Sequence, residues 1–166
     1  MPDGLYDHDA LAWADQQAAL LRQLAAGKRP DTPIDWANVI EEVQDVGLSQ
    51  LRSCRSLLRQ ALLHLMKQQA WPDSPAAAHW ASEAVGFLLD AQDAFSPAMR
   101  QRISLDELYA KALHQARLMA NDAGQPRPLP DACPFVLDDL LVERPDAAAL
   151  AVKLAVAAEP KESRLC

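Results

Sequence analysis

Two adjacent carboxylates, Glu41 and Glu42, with Asp45 close behind and Asn38 one turn ahead, are the residues best suited by type to acid–base work or cation binding. His64 and Lys67 follow later in the same stretch and could supply a base and a cation. Neighbouring residues on a helix diverge by about 100°, so Glu41 and Glu42 do not aim at one point. A di-iron bundle would carry Glu-x-x-His pairs on facing helices. None of His8, His64, His79 and His114 has a glutamate three residues before it. His64 and Glu42 are 22 positions apart, about 33 Å along one helix, and cannot share a site within one straight rod. The simplest reading makes the acidic run a solvated face and His64 a boundary histidine bonded to a backbone carbonyl.

Arg52, Arg55 and Arg59 share a flank. They could dock a phosphate, but in an acidic chain they are expected to pair with acidic neighbours. The patterns G-x-S-x-G, G-x-x-x-x-G-K-[ST] and H-E-x-x-H are absent, and five glycines make no phosphate loop. No catalytic residue, metal ligand or cofactor is assigned. Asn38, Glu41, Glu42, His64 and Lys67 remain as a weak candidate surface, and a metal-dependent or acid–base enzyme using Glu41 and Glu42 is the alternative reading.

Formal net charge of −7 disfavours nucleic acid, whose phosphates call for surplus Lys and Arg, and disfavours an anionic membrane surface. Cys54, Cys133 and Cys166 are odd in number and widely spaced, which suits reduced thiols in the cytoplasm. The start, Met1-Pro2-Asp3-Gly4, lacks the apolar core of a signal peptide, and no apolar run approaches the ~20 residues of a membrane span. Half of the 166 residues are hydrophobic but few are aromatic, so Leu and Ala must fill the core, a mixture that favours helices.

These residues need elements to hold them. A first helix is expected from about Asp9 to Ala26, with Asp7 or Asp9 as cap, Leu11 in its apolar stripe and Gly27 as its stop. The second runs unbroken from Asp35 to Trp71, with a stripe of Trp36, Ile40, Val43, Gly47, Leu51, Cys54, Leu58 and Leu65 at helical spacing. Beyond Cys54 the apolar residues spread around the helix (Leu57, Leu63, Met66), as expected at the centre of a bundle. Gly47 marks a bend or a close approach.

Ser74-Pro75 and Ser96-Pro97 are helix starts, the latter of a short helix through Ile103. Ser104-Leu105-Asp106-Glu107 is a capping box, with Ile103 and Leu108 as its staple, opening a helix to about Asn121. Pro126, Pro128, Pro130 and Pro134 forbid a regular helix and predict a strap across the bundle. A short helix from Pro134 to about Val142 follows. The expected organisation is one helical-bundle domain over residues 1–145. An Ala-rich tail over 146–166 is then helical to Ala158 and frayed from Lys161 to Cys166.

Several blocks resemble the bacterial family named domain of unknown function 29. They are Tyr6-Asp7-x-Asp9 with Trp13 and Gln17; Trp36 through Val43 with Gly47; Leu62 through Lys67 with Trp80; and Cys133-Pro134-Phe135 with Leu140-Leu141. The likeness spans roughly residues 5 to 142. Two departures stand out: Gln68 where the family often has an aromatic residue, and Ala76, Ala77 and Ala78 in place of arginines. The resemblance implies an all-helical bacterial cytoplasmic protein and no activity.

The sequence therefore predicts an all-α bundle of about five main helices around one long central helix. Its expected role is a non-enzymatic interaction module, with a protein partner or a second copy and with neither nucleic acid nor membrane.

Overall fold

The computed structural model describes residues 5–8, 10–119 and 124–159. Among them every regular element is helical: α1 (Leu5–His8), α2 (Ala10–Ala25), α3 (Trp36–Ala70), α4 (Ala77–Ala94), a 3-10 helix (Pro97–Arg102), α5 (Leu105–Leu118), α6 (Leu137–Leu140) and α7 (Ala147–Ala158). Five of these run to twelve residues or more, and α3 is the long helix the periodicity predicts. The Asp9 cap, the place of the Leu11 side chain, the helix end at Asn121 and the frayed terminus lie outside the described residues. Contacts group the chain into two compact units, Met1–Ser49 and Gln50–Cys166.

In the first unit α2 ends at Ala25 and the chain turns at Gly27, whose φ of 71° suits a residue without Cβ. The Lys28 and Gly27 amides turn back to the Gln23 and Leu24 carbonyls, both at 3.0 Å, and so satisfy the carbonyls left open by the last turn. Buried Trp13, Gln17 and Leu20 form the inner face of α2. Two of them fasten the start of α3: the Trp13 indole donates to Asp35 Oδ2 at 3.3 Å, and Gln17 Oε1 accepts from the Asp35 amide at 2.9 Å. Asp35 in turn caps α3 through the Asn38 amide and side chain.

The core of the second unit is built on the later half of α3. Cys54, Leu58, Ala61, Leu62, Leu65 and Met66 are wholly enclosed, and Leu63 nearly so. They pack with Leu88 and Ala91 of α4, Tyr109 and Leu113 of α5, Leu140 of α6 and Leu154 of α7. Residues facing so many directions cannot be covered by one neighbour, which is why several helices pack against this half of α3. The proline segment crosses the unit as a strap. It is held where the Arg127 amide donates to Ala70 O (2.8 Å) and Tyr109 OH to Pro130 O (2.7 Å).

Three local expectations change. Helix α4 starts at Ala77 rather than at Pro75: Ser74 Oγ accepts from the Ala76 amide and holds a turn, with the helix only beginning beyond it. At α5 only half of the capping box forms. Ser104 Oγ accepts from the Glu107 amide, but the Glu107 carboxylate goes to Arg55 at 3.3 Å, a cross-helix partner that local pattern cannot reveal. The helix after the strap is one turn, Leu137–Leu140, closed by Asp139 accepting from the Val136 amide. Gly47 lies within unbroken α3 with nothing within 4 Å of where a Cβ would stand, so no helix approaches closely there.

Helix α7 buries Ala147, Leu150, Ala151 and Leu154 behind a strong cap, with Asp146 Oδ1 accepting from the Ala148 (2.9 Å) and Ala149 (3.1 Å) amides. Replacing Asp146 with alanine is expected to cost about 1 kcal/mol, and asparagine to restore most of it. Urea denaturation of the two variants checks this.

Candidate functional site

The expected stripe of α3 divides at its midpoint. Leu51, Cys54, Leu58 and Leu65 are buried, whereas Trp36 (52% exposed), Ile40 (54%) and Val43 (69%) stand open, as does Val46 (62%), which lies outside that stripe. The first half of α3 instead turns Asn38, Val39, Glu42 and Leu48 to half-buried positions. Polar ties choose that orientation. Tyr6 OH donates to Glu42 Oε1 at 2.8 Å, Asn38 Nδ2 to Asp35 Oδ2 at 2.7 Å, and Tyr6 packs edge-on against Trp13 with centroids 4.9 Å apart. Trp36, Ile40 and Val43 then share a free face at steps of four and three, with Val46 one turn further on. Glu41 and Asp45 are exposed elsewhere on the same turns.

These contacts settle what Asn38, Glu41 and Glu42 do geometrically. Asn38 belongs to the cap of α3, Glu42 is the acceptor of a tyrosine, and Glu41 is exposed. The Glu42 hydrogen bond, with lesser help from burial and from the charges of Glu42, Glu41 and Asp45, pushes the Tyr6 hydroxyl up to about 12. Asp35 is held below the usual carboxylate range, chiefly by the Asn38 hydrogen bond.

In the second unit His64 has the carbonyl partner expected of it: Nδ1 lies 2.9 Å from Gln60 O. A carbonyl only accepts, so this bond places the proton on Nδ1 and leaves the Nε2 lone pair outward. Nε2 is 3.6 Å from Glu83 Oε2, and the exposed His79 Nε2 is 3.9 Å from Glu83 Oε1. Burial, then Lys67 and His79, outweigh the Gln60 and Glu83 contributions and hold the His64 pKa below the ordinary value. Lys67 stacks its ammonium 4.8 Å from the Trp80 ring centroid, and burial lowers its pKa against the pull of Glu83.

The cluster of His64, Lys67, His79, Trp80 and Glu83 was only half legible. Its missed members carry one signal, the i,i+4 spacing of His79 and Glu83. Among the described residues no three His, Cys, Asp or Glu side chains are placed to hold a metal ion. Of the three arginines, Arg55 pairs with Glu107 and Arg59 donates to Gln115 Oε1 at 2.9 Å, both partners lying on α5.

Residues 5–144 match the family described as a domain of unknown function, DUF29. The chain belongs to that family. A crystal structure of an α-helical protein of unknown function from Rhodospirillum rubrum shares 30% identity with it. That likeness covers 90% of this chain and 96% of the other, with a TM-score of 0.68. No curated protein matches.

The blocks that carry the resemblance have a physical meaning in this chain. Tyr6, Trp13 and Gln17 bond to residues at the start of α3, while Leu62, Leu63, Leu65, Met66 and Leu140 are core. Gln68 has a buried Oε1 without a hydrogen-bond partner among the described residues. No helix of the described residues is long and apolar enough to cross a membrane.

Proposed function

We propose that this chain is a non-enzymatic protein-interaction module of the bacterial cytoplasm, docking a partner helix, or a second copy of itself, on the free face of α3. One observation carries the reading: Trp36, Ile40, Val43 and Val46 are large, apolar and exposed together along one helix. Single exposed apolar residues are ordinary, but a contiguous set on one helix face is the signature of a surface that meets another protein. Helix-in-groove recognition uses such anchors at steps of three and four, and a tryptophan is the residue most often dominant in them.

Ile40→Asp with Val43→Asp tests this without touching a core position. The wild-type chain is expected to self-associate in light scattering or to retain a protein partner through purification, and the double variant to do neither. Loss of more than about 1 kcal/mol of association energy per anchor is the expected scale. A wild-type chain that stays monomeric at high concentration and retains no partner refutes the proposal.

A further inference from the structure

A hollow of about 280 Å³ lies under the proline strap, between the C-terminal ends of α3 and α5. Its walls are Trp71, Leu129, Pro126 and Pro128, with Ala70 and Ala116 leaving space where larger side chains would fill it. Arg117 and Arg127 complete the lining. We propose that this hollow binds a small organic carboxylate, its apolar body against Trp71 and Leu129 and its carboxylate on the two guanidinium groups.

Three features support this assignment. The first is that the walls are preformed. The strap is tied by the Arg127 amide to Ala70 O and by Tyr109 OH to Pro130 O, and the Trp71 indole donates to Gly124 O at 3.3 Å. A ligand entering such a hollow has little ordering of the chain to oppose it.

The second is the state of the two arginines. Each uses one terminal nitrogen on an aspartate, Arg117 on Asp131 at 2.5 Å and Arg127 on Asp73 at 3.3 Å. Each guanidinium has five N–H donors in a planar fork, so both keep donors for a further acceptor. The aspartates are 89% and 93% exposed, and ion pairs that open to water are weak and readily exchanged.

The third is the match of size and chemistry. An apolar cleft with a few polar groups is the usual form of a small-molecule site, and about 280 Å³ falls just below the ~300–1,000 Å³ such sites span, which suits a small ligand. Both forks already hold carboxylates, so the same chemistry is what they are shaped to accept. A dianion would meet the two aspartates at the rim, which favours a single negative charge.

The full chain, titrated with 3-phenylpropionate and followed through the Trp71 indole N–H resonance, tests the proposal. A saturable shift is expected, absent with the uncharged 3-phenylpropionamide and with inorganic phosphate. Arg127→Gln and Arg117→Gln should each weaken binding about tenfold or more, as the loss of a charge-assisted hydrogen bond predicts. Both side chains are more than half exposed and the Arg127 amide bond to the strap survives substitution, so folding is retained and far-ultraviolet circular dichroism verifies it. No shift up to the solubility limit, equal binding of the amide, or full affinity in both variants overturns the proposal. Because the hollow uses no residue of the α3 docking face, this result stands apart from that of the association test.

Discussion

Replacing Leu58 with alanine is expected to destabilise the second unit by about 3–5 kcal/mol, a large share of the 5–15 kcal/mol that holds a typical domain folded. Leu58 is wholly enclosed, and its neighbours come from helices spread around α3. Truncation therefore removes apolar burial and leaves a void that no one helix can close by sliding inward. The control is Val43→Ala on the same helix, where the side chain is exposed and the expected change lies within about 0.5 kcal/mol. Chemical denaturation of both variants checks the pair. A Leu58 variant no less stable than the Val43 variant would mean that the later half of α3 is not the core.

Alkali should produce the second large effect. The chain has two tyrosines, and both resist ionisation for different reasons. Tyr6 is pushed up to about 12 because its hydroxyl donates to the Glu42 carboxylate, which disfavours a second negative charge beside it. Tyr109 is raised further still, first by burial, its hydroxyl enclosed against Pro130 O. In the unfolded chain both titrate near 10. A folded pKa above the unfolded one means the stabilisation is complete below pH 10 and drains away as pH rises toward the folded values.

At about pH 11 an ordinary tyrosine is roughly 90% ionised, whereas the native chain is expected to show little tyrosinate absorbance. Ionisation of Tyr109 should then coincide with loss of the near-ultraviolet signal of the packed core. Half of the tyrosine signal appearing near pH 10 in the folded protein would contradict the Tyr6–Glu42 bond. Tyr6→Phe separates the two, since it removes the early step and leaves the cooperative one.

The local features of the fold were legible wherever short-range chemistry decides them. Gly27 stops α2, Ser104 opens α5 and the unbroken period of residues 35–71 becomes α3, because a cap, a left-handed turn and a helical repeat involve residues within a few positions. The partners of side chains were not legible. Glu107 abandons its capping role for Arg55, 52 positions earlier, and His64 meets Glu83 across two helices. Nothing in the spacing of one helix encodes which neighbour will lie beside it.

The stripe of α3 shows the division most sharply. Composition, charge and periodicity by themselves determined an all-helical chain with one long rod, because helix propensity and the 3.6-residue repeat act locally. Whether a given apolar residue on that rod is covered was decided only by tertiary structure. Trp36, Ile40 and Val43 obey the same repeat as Leu58 and Leu65, yet they are exposed, because the bonds of Asp35, Asn38 and Glu42 fix which side of the helix meets α1 and α2. The hollow under the strap has the same origin: Trp71, Ala116, Arg117 and Arg127 are scattered in sequence and converge only when the helices and the proline segment pack. Burial is a property of neighbours, and neighbours distant in the chain are chosen by the whole set of contacts at once.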